Sequence, residues 1–342
     1  MLVGPSTSMP YTPKAPRPFL SCRSQMANDS PILDFLEDLD TDVFSILDSE
    51  FEVEVTDTEL VPNLNDSLLT YDDPDTQIKK AKRLATCVLY IDIRNSSQIS
   101  AERRSFTLAR MYSAFIRAMV LCARQGGGHV RNIVGDRVMV LFDTEACFAR
   151  ALFTACLCNT AAQRILKKRI KNFDFRCGIG IDYGTMLVVK AGVPRRGVET
   201  EFYRSLVWLG RPANVASKLT DLAHKVVRRS EPGVSVGTNN PFTRQLEWRE
   251  EPVSAFLKQL KPTYSPSLNH TDPRFSTFFE TTIYHKPFTQ SAVLLTEEVL
   301  KGARQQLGTE TWLTKEWRRA FPSVPGYSGK VFGGNPLIEF RP

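Results

Sequence analysis

The sequence predicts an α+β fold in which strands and helices follow the order β-α-β-β-α-β. Three observations predict it: alternating apolar strands within 86–93 and 129–142, long helical patterns at 101–125 and 145–170, and glycine-rich breaks between them. This order is the ferredoxin-like arrangement, an antiparallel sheet with both helices on one face. The composition agrees, since 342 residues with 42% hydrophobic content can bury a substantial core.

The N-terminal elements of this unit can be justified in chain order. TCVLYIDI (86–93) is typical of a strand, and AERRSFTLARMYSAFIRAMVLCARQ (101–125) predicts a helix that ends at three glycines. HVRNIVGDRVMVLF (129–142) is typical of a hairpin, because two alternating apolar arms flank a Gly135-Asp136 corner. A second helix at 145–170 then precedes two predicted strands, FRCGIGIDYG and TMLVVKAG, within 175–192.

Further elements follow this unit. RPANVASKLTDLAHK (211–225) predicts a helix, and residues 226–286, rich in Pro, Asn and Thr, predict a long insertion. SAVLL and TEEVLKGARQ predict a strand and a helix over 291–304, with Thr296 as the N-cap, and YSGKVFGGNPLIEF predicts a closing hairpin. We divide the chain into an N-terminal extension, residues 1–80, and one globular domain, residues 81–342.

Charge is unevenly distributed along the chain. Residues 1–28 are rich in Pro and Ser and contain no acid, which favours disorder, whereas residues 29–76 contain sixteen acidic and no basic side chains. The other residues carry 44 basic and 21 acidic side chains, a formal charge of +23. Such a basic surface suits a polyanionic ligand, and charge alone does not distinguish a nucleoside triphosphate from a nucleic acid.

The sequence also bears on the compartment. No apolar run approaches the roughly 18 to 20 residues of a membrane span, and the N-terminus lacks the apolar core of a signal peptide. The seven cysteines are odd in number and show no paired CxxC spacing. We therefore expect reduced, buried thiols in a cytoplasmic protein.

Two acidic residues are candidates for chemistry. Asp92 ends a buried strand, on the same face as Val88 and Tyr90, and a buried carboxylate without a partner is costly. In the β-α-β-β order the first strand lies beside the hairpin, which brings Asp92 close to Asp136. Either aspartate alone would be an ordinary strand-end or turn residue, but two adjacent carboxylates repel unless a divalent metal lies between them. The pair therefore predicts a metal site.

The segment after Asp92, IRNSSQIS, predicts a polar loop that leads into a helix. Its backbone N–H groups and the hydroxyls of Ser96 and Ser97 would suit a phosphate group. Serine-rich helix starts are common, so this signal depends on the adjacent Asp92.

Four segments together resemble class III nucleotidyl cyclases, the adenylate and guanylate cyclase family: YIDIRNSS, GGGHVRNIVGDRVMVLF, RCGIGIDYG and LGRPANVASKL. The resemblance covers about residues 85–225, with a looser continuation over 291–340. It implies the class III cyclase catalytic fold for residues 81–342, and a head-to-tail homodimer with active sites at the interface. It also implies that a nucleoside triphosphate is cyclised, with loss of pyrophosphate, by phosphoryl transfer that uses two divalent metal ions, Mn²⁺ or Mg²⁺.

The resemblance assigns roles to particular residues near the first strand. Asp92 and Asp136 match the two metal-binding aspartates, and the Ile93 carbonyl matches a backbone metal ligand. Ser96 and Ser97 fall in the triphosphate loop, and Arg94 in the same segment is expected to contact the substrate.

On the predicted helix at 211–225, Asn214 matches the asparagine that orients the ribose. Lys218 stands four residues later on the same helix face, where the family usually has arginine. Lysine keeps the positive charge for the transition-state phosphate but lacks the planar bidentate fork of arginine. An ordinary exposed helical lysine is the alternative interpretation of Lys218.

The positions that contact the base depart from the purine cyclases. Adenylate cyclases have a lysine three residues before the hairpin glycine and an aspartate seven residues before the ribose-orienting asparagine, where this chain has Asn132 and Val207. Val207 cannot accept a hydrogen bond from an amino group. The carboxamide of Asn132 can both donate and accept, which would suit uracil or, after a flip, cytosine. An unremarkable strand residue is the alternative for Asn132.

With these departures, the chain resembles the pyrimidine cyclases of bacterial Pycsar antiphage systems. That resemblance implies conversion of UTP to cyclic UMP, with cyclic CMP as the alternative product, and Mn²⁺-dependent activity triggered by phage infection. It further implies a separate effector protein that senses the cyclic nucleotide, with neither nucleic acid nor membrane as a partner.

Two other classes of protein compete with this interpretation. A diguanylate cyclase has two adjacent acids at the hairpin, whereas Arg137 follows Asp136 here. A non-catalytic cyclase homologue would bind a nucleotide or a partner protein through the same groove. Such a binding module would not need two carboxylates that are costly to keep close together, so the pair favours the enzyme.

Overall fold

The computed structural model describes residues 31–48, 51–71, 78–170, 173–192, 204–262, 267–309, 311–315, 317–320 and 322–339. The chain forms two compact units, Met1–Glu52 with Asp72–Ile78, and Val53–Tyr71 with Lys79–Pro342. In the first unit, helix α1 (Pro31–Leu47) has no buried residue. The disorder predicted for residues 1–28 lies outside the described residues.

The strands are β1 (Glu52–Asp57), β2 (Ile78–Ile93), β3 (Gly128–Val134), β4 (Arg137–Phe142), β5 (Cys177–Gly192), β6 (Arg204–Leu209), β7 (Val226–Asn239), β8 (Leu246–Pro252), β9 (Leu260–Pro262), β10 (Leu268–His270), β11 (Phe275–Thr289), β12 (Val293–Thr296), β13 (Arg318–Ala320) and β14 (Val331–Gly334). The other helical segments are α2 (Ser96–Glu102), α3 (Ser105–Gln125), α4 (Cys147–Thr160), a π-helical turn (Ala161–Leu166), α5 (Lys167–Arg169), α6 (Arg211–Leu222), α7 (Val253–Lys258) and α8 (Glu297–Leu307).

The predicted ferredoxin-like arrangement is confirmed. Within the large sheet, the four strands of the β-α-β-β-α-β unit lie in the order β5-β2-β4-β3, and each neighbouring pair is antiparallel. In this register Ile91 of β2 pairs with Val138 of β4, and Asp92 pairs with Gly178 of β5. The hairpin turn that precedes β4 therefore lies beside the C-terminal end of β2.

Alternate residues of β2 face two different cores. Leu89 and Ile91 pack with Phe115 of α3 and with residues of α4, so both helices of the unit cover one face of the sheet as predicted. Val88 faces the other way and packs with Met139 and with Ala216 of α6. Helix α6 therefore covers the opposite face, on the side to which Asp92 belongs.

Three predicted elements have different bounds in the structure. Residues 175–192 do not form two strands, because β5 pairs with β2 without interruption from Cys177 to Val188. The helix predicted from residue 101 begins at Ser105, and residues 96–102 form a separate helix whose Ile99 is buried. The residues between these helices, Arg103 and Arg104, have extended backbone. The helix predicted at 145–170 is present and contains the π-helical turn.

The insertion at 226–286 is rich in β structure. Strands β11, β7 and β8 form an antiparallel sheet, and β9 pairs with β10. Val234 and Val236 pack with Phe256 of α7 in a small core of their own. Because β7 follows α6 after three residues and β11 leads into β12, the base of the insertion lies close to the end of α6.

The C-terminal strand and helix predicted over 291–304 are present as β12 and α8. Thr296 occupies the N-cap position of α8 but makes no capping bond, because its hydroxyl donates to the buried Asp182 carboxylate at 2.7 Å. The hairpin predicted within the last segment is wrong. Strand β14 pairs with β12 and with β13, which begins at Arg318.

Residues 53–71, which fall within the predicted N-terminal extension, belong to the second compact unit. Strand β1 pairs with β2, and Val61 and Leu69 are buried. The ammonium group of Lys82 lies 2.6 Å from the Asp66 carboxylate, which further anchors this segment.

Helix α3 is the one helix in the described part of the chain with the length and composition of a membrane span. Its Met111, Phe115 and Met119 are buried in the same cluster as Leu89 and Ile91 of β2. The six cysteines within the described ranges are free thiols, and five of them are buried, as expected from their apolar surroundings.

Candidate active site

The candidate active site starts at the C-terminal end of β2. Asp92 follows Val88 and Tyr90 on the strand face that α6 covers, and its side chain is 14% exposed. Antiparallel pairing of β2 with both β4 and β5 fixes the backbone on either side of this residue. A carboxylate is thus held at the rim of the core with little freedom to move.

The turn between β3 and β4 places Asp136 next to Asp92. Gly135 has a left-handed backbone in this turn (φ 61°), a conformation that glycine adopts without strain. Burial, reinforced by hydrogen bonding to and repulsion from Asp92, raises the pKa of Asp136 to about 6. The structure therefore brings together the two aspartates that the sequence predicts to be neighbours.

Two arginines lie against Asp92. The Nη2 atom of Arg137 donates to Asp92 Oδ2 at 2.8 Å, and Nη2 of Arg94 lies 3.6 Å from the same oxygen. Arg137 also donates to the Ser217 hydroxyl at 2.8 Å and to the Asp221 carboxylate. Since the latter two residues belong to α6, Arg137 links the metal-site candidate to the helix on that face of the sheet.

The short helix α2 completes one wall of the site. Ser96 and Ser97 lie in its first turn rather than in the predicted loop. The Ser96 hydroxyl hydrogen-bonds to Asp136, where it opposes the rise in the pKa of that carboxyl group. Burial lowers the pKa of Arg94, although the nearby Asp92 charge opposes this effect.

A cavity of about 470 Å³ opens beside Asp92. Residues 92–97 form one wall, and Arg176 with residues at the end of α6 and the start of β7 form the rest. Arg94, Arg176 and Lys225 contribute three cations, against the two carboxylates of Asp92 and Asp221. A cavity of this size and charge can hold the phosphate groups of a small ligand.

His224 contributes a neutral imidazole to the same cavity. Its Nδ1 lies 2.9 Å from the Cys177 carbonyl oxygen, so this nitrogen donates the hydrogen bond. Burial lowers the pKa of His224, and the positive charges of Arg176 and Arg94 act in the same direction. The residue has a left-handed backbone (φ 55°) just after α6 ends.

The carboxylate pair retains binding capacity for a metal ion. Oδ1 of Asp92 and Oδ2 of Asp136 are buried and have no hydrogen-bond partner among the described residues. Such oxygen atoms are suitable ligands for Mg²⁺ or Mn²⁺. Within the described ranges no three His, Cys, Asp or Glu side chains converge on one point. A metal site here would therefore combine the two aspartates with a backbone oxygen such as that of Ile93, which lines the cavity.

Asp136 hydrogen-bonds to Asp92 but does not line the cavity itself. Four further residues predicted for the site also lie outside the cavity lining: Asn132, Val207, Asn214 and Lys218. Val207 neighbours Trp208, which pairs with Val188 of β5, and Val188 pairs with Lys82 of β2. Lys82 precedes Asp92 by ten residues, or about 33 Å of extended strand. Val207 therefore cannot contact a ligand at Asp92 of the same chain.

Of the three remaining residues, Asn132 on β3 and Asn214 on α6 are exposed, and Lys218 makes a hydrogen bond outside the cavity. The ammonium group of Lys218 donates to the Pro325 carbonyl at 2.9 Å. Asn132 and Val207 are also apart in the sheet, since Asn132 is level with Gly180 of β5 and Val207 pairs with Val189.

Sequence reasoning did not select Arg137, Arg176, Asp221, His224 or Lys225. Arg137 follows Asp136 directly, which is the one local signal that it belongs to the site. The others depend on contacts between segments that are distant in the sequence, such as Arg137 with Asp221, 84 residues apart. Periodicity within one segment carries no information about such contacts.

Comparison with known proteins identifies relatives for about half of the chain. It is 32% identical over 180 residues to a uridylate cyclase from Burkholderia cepacia, covering 51% of this chain and 73% of that protein. It is also 32% identical over 167 residues to a uridylate cyclase from Gulbenkiania mobilis, covering 45% and 62%. A uridylate cyclase from a Rhodovulum species is 26% identical over 197 residues, covering 54% and 74%. No family model matches the chain.

Among solved structures, the fold is similar to the adenylyl cyclase CyaB from P. aeruginosa, with a TM-score of 0.44 and 15% identity over 76% of this chain and 97% of that one. It is similar to the guanylyl cyclase Cya2 with a TM-score of 0.43 and 13% identity, over 73% and 90%. Membership in a family is shown by the sequence relatives and not by these structural similarities. With 32% identity across 73% of the Burkholderia protein, the chain belongs to the uridylate cyclase family of nucleotide cyclases.

Proposed function

We propose that this protein is a pyrimidine nucleotide cyclase that converts UTP to cyclic UMP and pyrophosphate. The observation that carries the proposal is the Asp92–Asp136 pair, with two unpartnered buried oxygen atoms beside a cationic cavity, in a member of the uridylate cyclase family. Cyclic CMP is the alternative product, because the carboxamide of Asn132 suits either pyrimidine.

The proposed cofactor is a pair of divalent cations, Mn²⁺ or Mg²⁺. Asp92, Asp136 and the Ile93 carbonyl would hold them, consistent with the free carboxylate oxygens. When bound, such ions make a ribose 3′-hydroxyl easier to deprotonate and stabilise negative charge on the phosphates. A divalent cation would also favour the charged form of Asp136, whose pKa is raised to about 6 by burial and by the neighbouring Asp92.

The chain's own cations act on the triphosphate. Arg94 and Arg176 are placed to bind phosphate oxygens through planar guanidinium groups, and Lys225 adds a third positive charge at the cavity wall. These charges would stabilise the pyrophosphate as it leaves. Ser96 and Ser97 lie on the same side, where the Ser97 hydroxyl supplies a further donor and the Ser96 hydroxyl is hydrogen-bonded to Asp136.

We propose that a second copy of the chain completes each site in a head-to-tail homodimer. Val207 lies about 33 Å or more along the sheet from Asp92 of its own chain, so it can contact the base only across an interface. Asn214 is exposed on α6 and free to orient a ribose bound to a partner. Lys218 would stabilise the transition state after exchanging the Pro325 carbonyl for a phosphate oxygen.

In the cell, we propose a cytoplasmic enzyme of bacterial antiphage defence whose cyclic nucleotide is sensed by a separate effector protein. The support is the motif resemblance to Pycsar pyrimidine cyclases together with the uridylate cyclase relatives. Neither nucleic acid nor a membrane is part of this proposal.

The test is to incubate the purified protein with each of ATP, GTP, CTP and UTP in Mn²⁺ and to identify the products by mass spectrometry. Cyclic UMP is expected. Asp136→Asn removes a negative charge at nearly constant side-chain shape and should lower turnover by more than about 100-fold. This loss exceeds the one expected for a residue that contacts only a metal ligand and not the metal.

Asp57→Asn serves as the matched control, because Asp57 pairs with Arg83 in a strongly exposed position. It should leave turnover unchanged. A purine cyclic nucleotide as the main product would overturn the pyrimidine proposal. No product from any of the four triphosphates would favour a nucleotide-binding homologue instead.

A further inference from the structure

A second cavity, of about 440 Å³, lies where the base of the insertion meets β13. Four arginines line it: Arg228 and Arg229 from β7, and Arg318 and Arg319 from β13. None of the described residues that line it is acidic. Arginines from two segments that are distant in the sequence thus line one cleft, and guanidinium groups suit a bound polyanion.

The cavity also contains an aromatic surface. Phe288 lines it and is 42% exposed, and the Arg229 guanidinium lies 5.8 Å from the Phe288 ring centroid. Ser230, on the same strand as the first two arginines, also lines the cavity, and its hydroxyl lies 3.2 Å from Nδ1 of His285. Guanidinium groups beside an exposed ring form a surface that matches a phosphate chain attached to a planar base.

We propose that this cavity binds a small phosphorylated ligand of the nucleotide class, with the arginines on its phosphates and Phe288 against its base. The site differs from the catalytic cavity, because the described residues that line the two cavities are all different. Its volume falls within the range of pockets that take small molecules, whereas an extended nucleic acid would need a longer basic surface.

The two cavities are joined by one stretch of backbone. Val226 lines the catalytic cavity and the next residue, Val227, lines the second one. The His224 amide donates to the Ser291 carbonyl at 2.8 Å, and the Gln290 amide donates to the Lys225 carbonyl at 2.9 Å. A ligand that moves Gln290 and Ser291 would therefore act directly on His224 and Lys225 of the catalytic cavity. This regulatory consequence rests on the proposed function, whereas the binding itself does not.

Binding can be measured without turnover by calorimetric titration of the full-length Asp136→Asn protein with sodium tripolyphosphate and, separately, with UTP. Two classes of site are expected. The double variant Arg228→Gln/Arg318→Gln should weaken one class by at least about 10-fold, because two charge-assisted bonds are lost. Arg176→Gln should weaken the other class. A double change at two exposed arginines of α3, Arg117→Gln/Arg124→Gln, is the charge-matched control and should weaken neither class.

A second variant separates the possible ligands. Phe288→Ala should weaken UTP in the arginine-dependent class by several-fold and leave tripolyphosphate unchanged, whereas equal effects on both would remove the base contact from the proposal. Equal affinities in the arginine double variant and its control would overturn the site. Binding of a single-stranded oligonucleotide with no measurable affinity for tripolyphosphate or UTP would overturn the small-ligand proposal. Because none of these readouts needs catalysis, an inactive enzyme would count against the proposed function alone.

Discussion

Arg137 connects three parts of the site with one guanidinium group. It contacts the Asp92 carboxylate, the Ser217 hydroxyl and the Asp221 carboxylate, while its own side chain is 28% exposed. Since Asp92 also lies beside Asp136, this cation offsets part of the repulsion between the two aspartates. Arg137 is therefore as important to the geometry of the site as Asp136, which precedes it.

We expect Arg137→Gln to lower the free energy of unfolding by about 2–3 kcal/mol, because it leaves a mostly buried carboxylate without its closest cation. Adding Asp92→Asn should recover part of this loss, since the uncompensated charge is then absent. Urea denaturation of the four proteins in this double-mutant cycle measures the coupling. Strictly additive losses would show that the two side chains act independently.

His224 gives the stability of the protein a defined pH dependence. Its pKa lies below the ordinary value because it is buried and near Arg176 and Arg94, with Asp174 acting in the opposite direction. The unfolded chain therefore takes up a proton first as the pH falls below about 6.5, and folded stability is lost in that range.

The matched variant for His224 is His224→Asn. Asparagine tolerates the left-handed backbone at this position, and its amide can replace the hydrogen bond from Nδ1 to the Cys177 carbonyl. Thermal melts should show that the wild type loses stability relative to this variant between pH 7 and pH 5. A constant difference across that range would contradict the assignment.

At the scale of elements, α6 reaches the site because β5 lacks side chains where the two cross. A Cβ on Gly180 would lie 2.2 Å from the Ala216 carbonyl oxygen and 2.4 Å from the Thr220 nitrogen. These are backbone atoms that cannot rotate away. The close approach places Ser217 and Asp221 within reach of Arg137.

Gly180→Ala is therefore expected to lower the free energy of unfolding by about 3 kcal/mol, at the upper end of the usual cost of overpacking. It should also weaken UTP binding, because α6 must move away from Arg137. Gly308→Ala is the control: Gly308 has φ 85° but its nearest Cβ neighbour is 4.0 Å away, so only about 1 kcal/mol of backbone strain is expected. Similar losses in both variants, followed by chemical denaturation, would argue against the α6 clash.

The elements that sequence analysis predicted well are those with strong local periodicity. Strand β2, the hairpin and helix α3 alternate or repeat clearly, and their order was enough to place Asp92 beside Asp136. The break between α2 and α3 and the continuity of β5 through Gly184 were missed. Both depend on tertiary contacts, the burial of Ile99 and the long pairing with β2, which no local pattern reveals.

At the scale of the whole molecule, the proposed dimer predicts complementation between two inactive chains. Asp136→Asn disables the metal-binding half of a site, and Asn214→Ala disables the ribose-orienting half. If these halves come from different copies, equal mixing of the two variants after reversible dissociation should restore about a quarter of wild-type activity, since half of the dimers carry one intact site. Activity of the mixture no higher than that of either variant alone would show that one chain supplies both residues.

The composition alone could not indicate that the second compact unit begins at Val53. Residues 53–71 lie in the acidic stretch, yet they pair with β2 and bury Val61 and Leu69. Asp66 explains the difference, because its carboxylate forms an ion pair with Lys82 instead of being solvated. The insertion at 226–286 was likewise recognised only as an irregular segment, since its turn-rich composition masks the strands that form a separate small core.

The alternation along β2 also protects the protein against misfolding into an inactive but compact form. Sliding this strand by one position against its neighbours would exchange Asp92 with an apolar residue and push its charge among Phe115 and the other side chains beneath α3. Such a shifted pairing would be heavily disfavoured. The Asp92 carboxylate thus also favours the correct register of β2 while the sheet assembles.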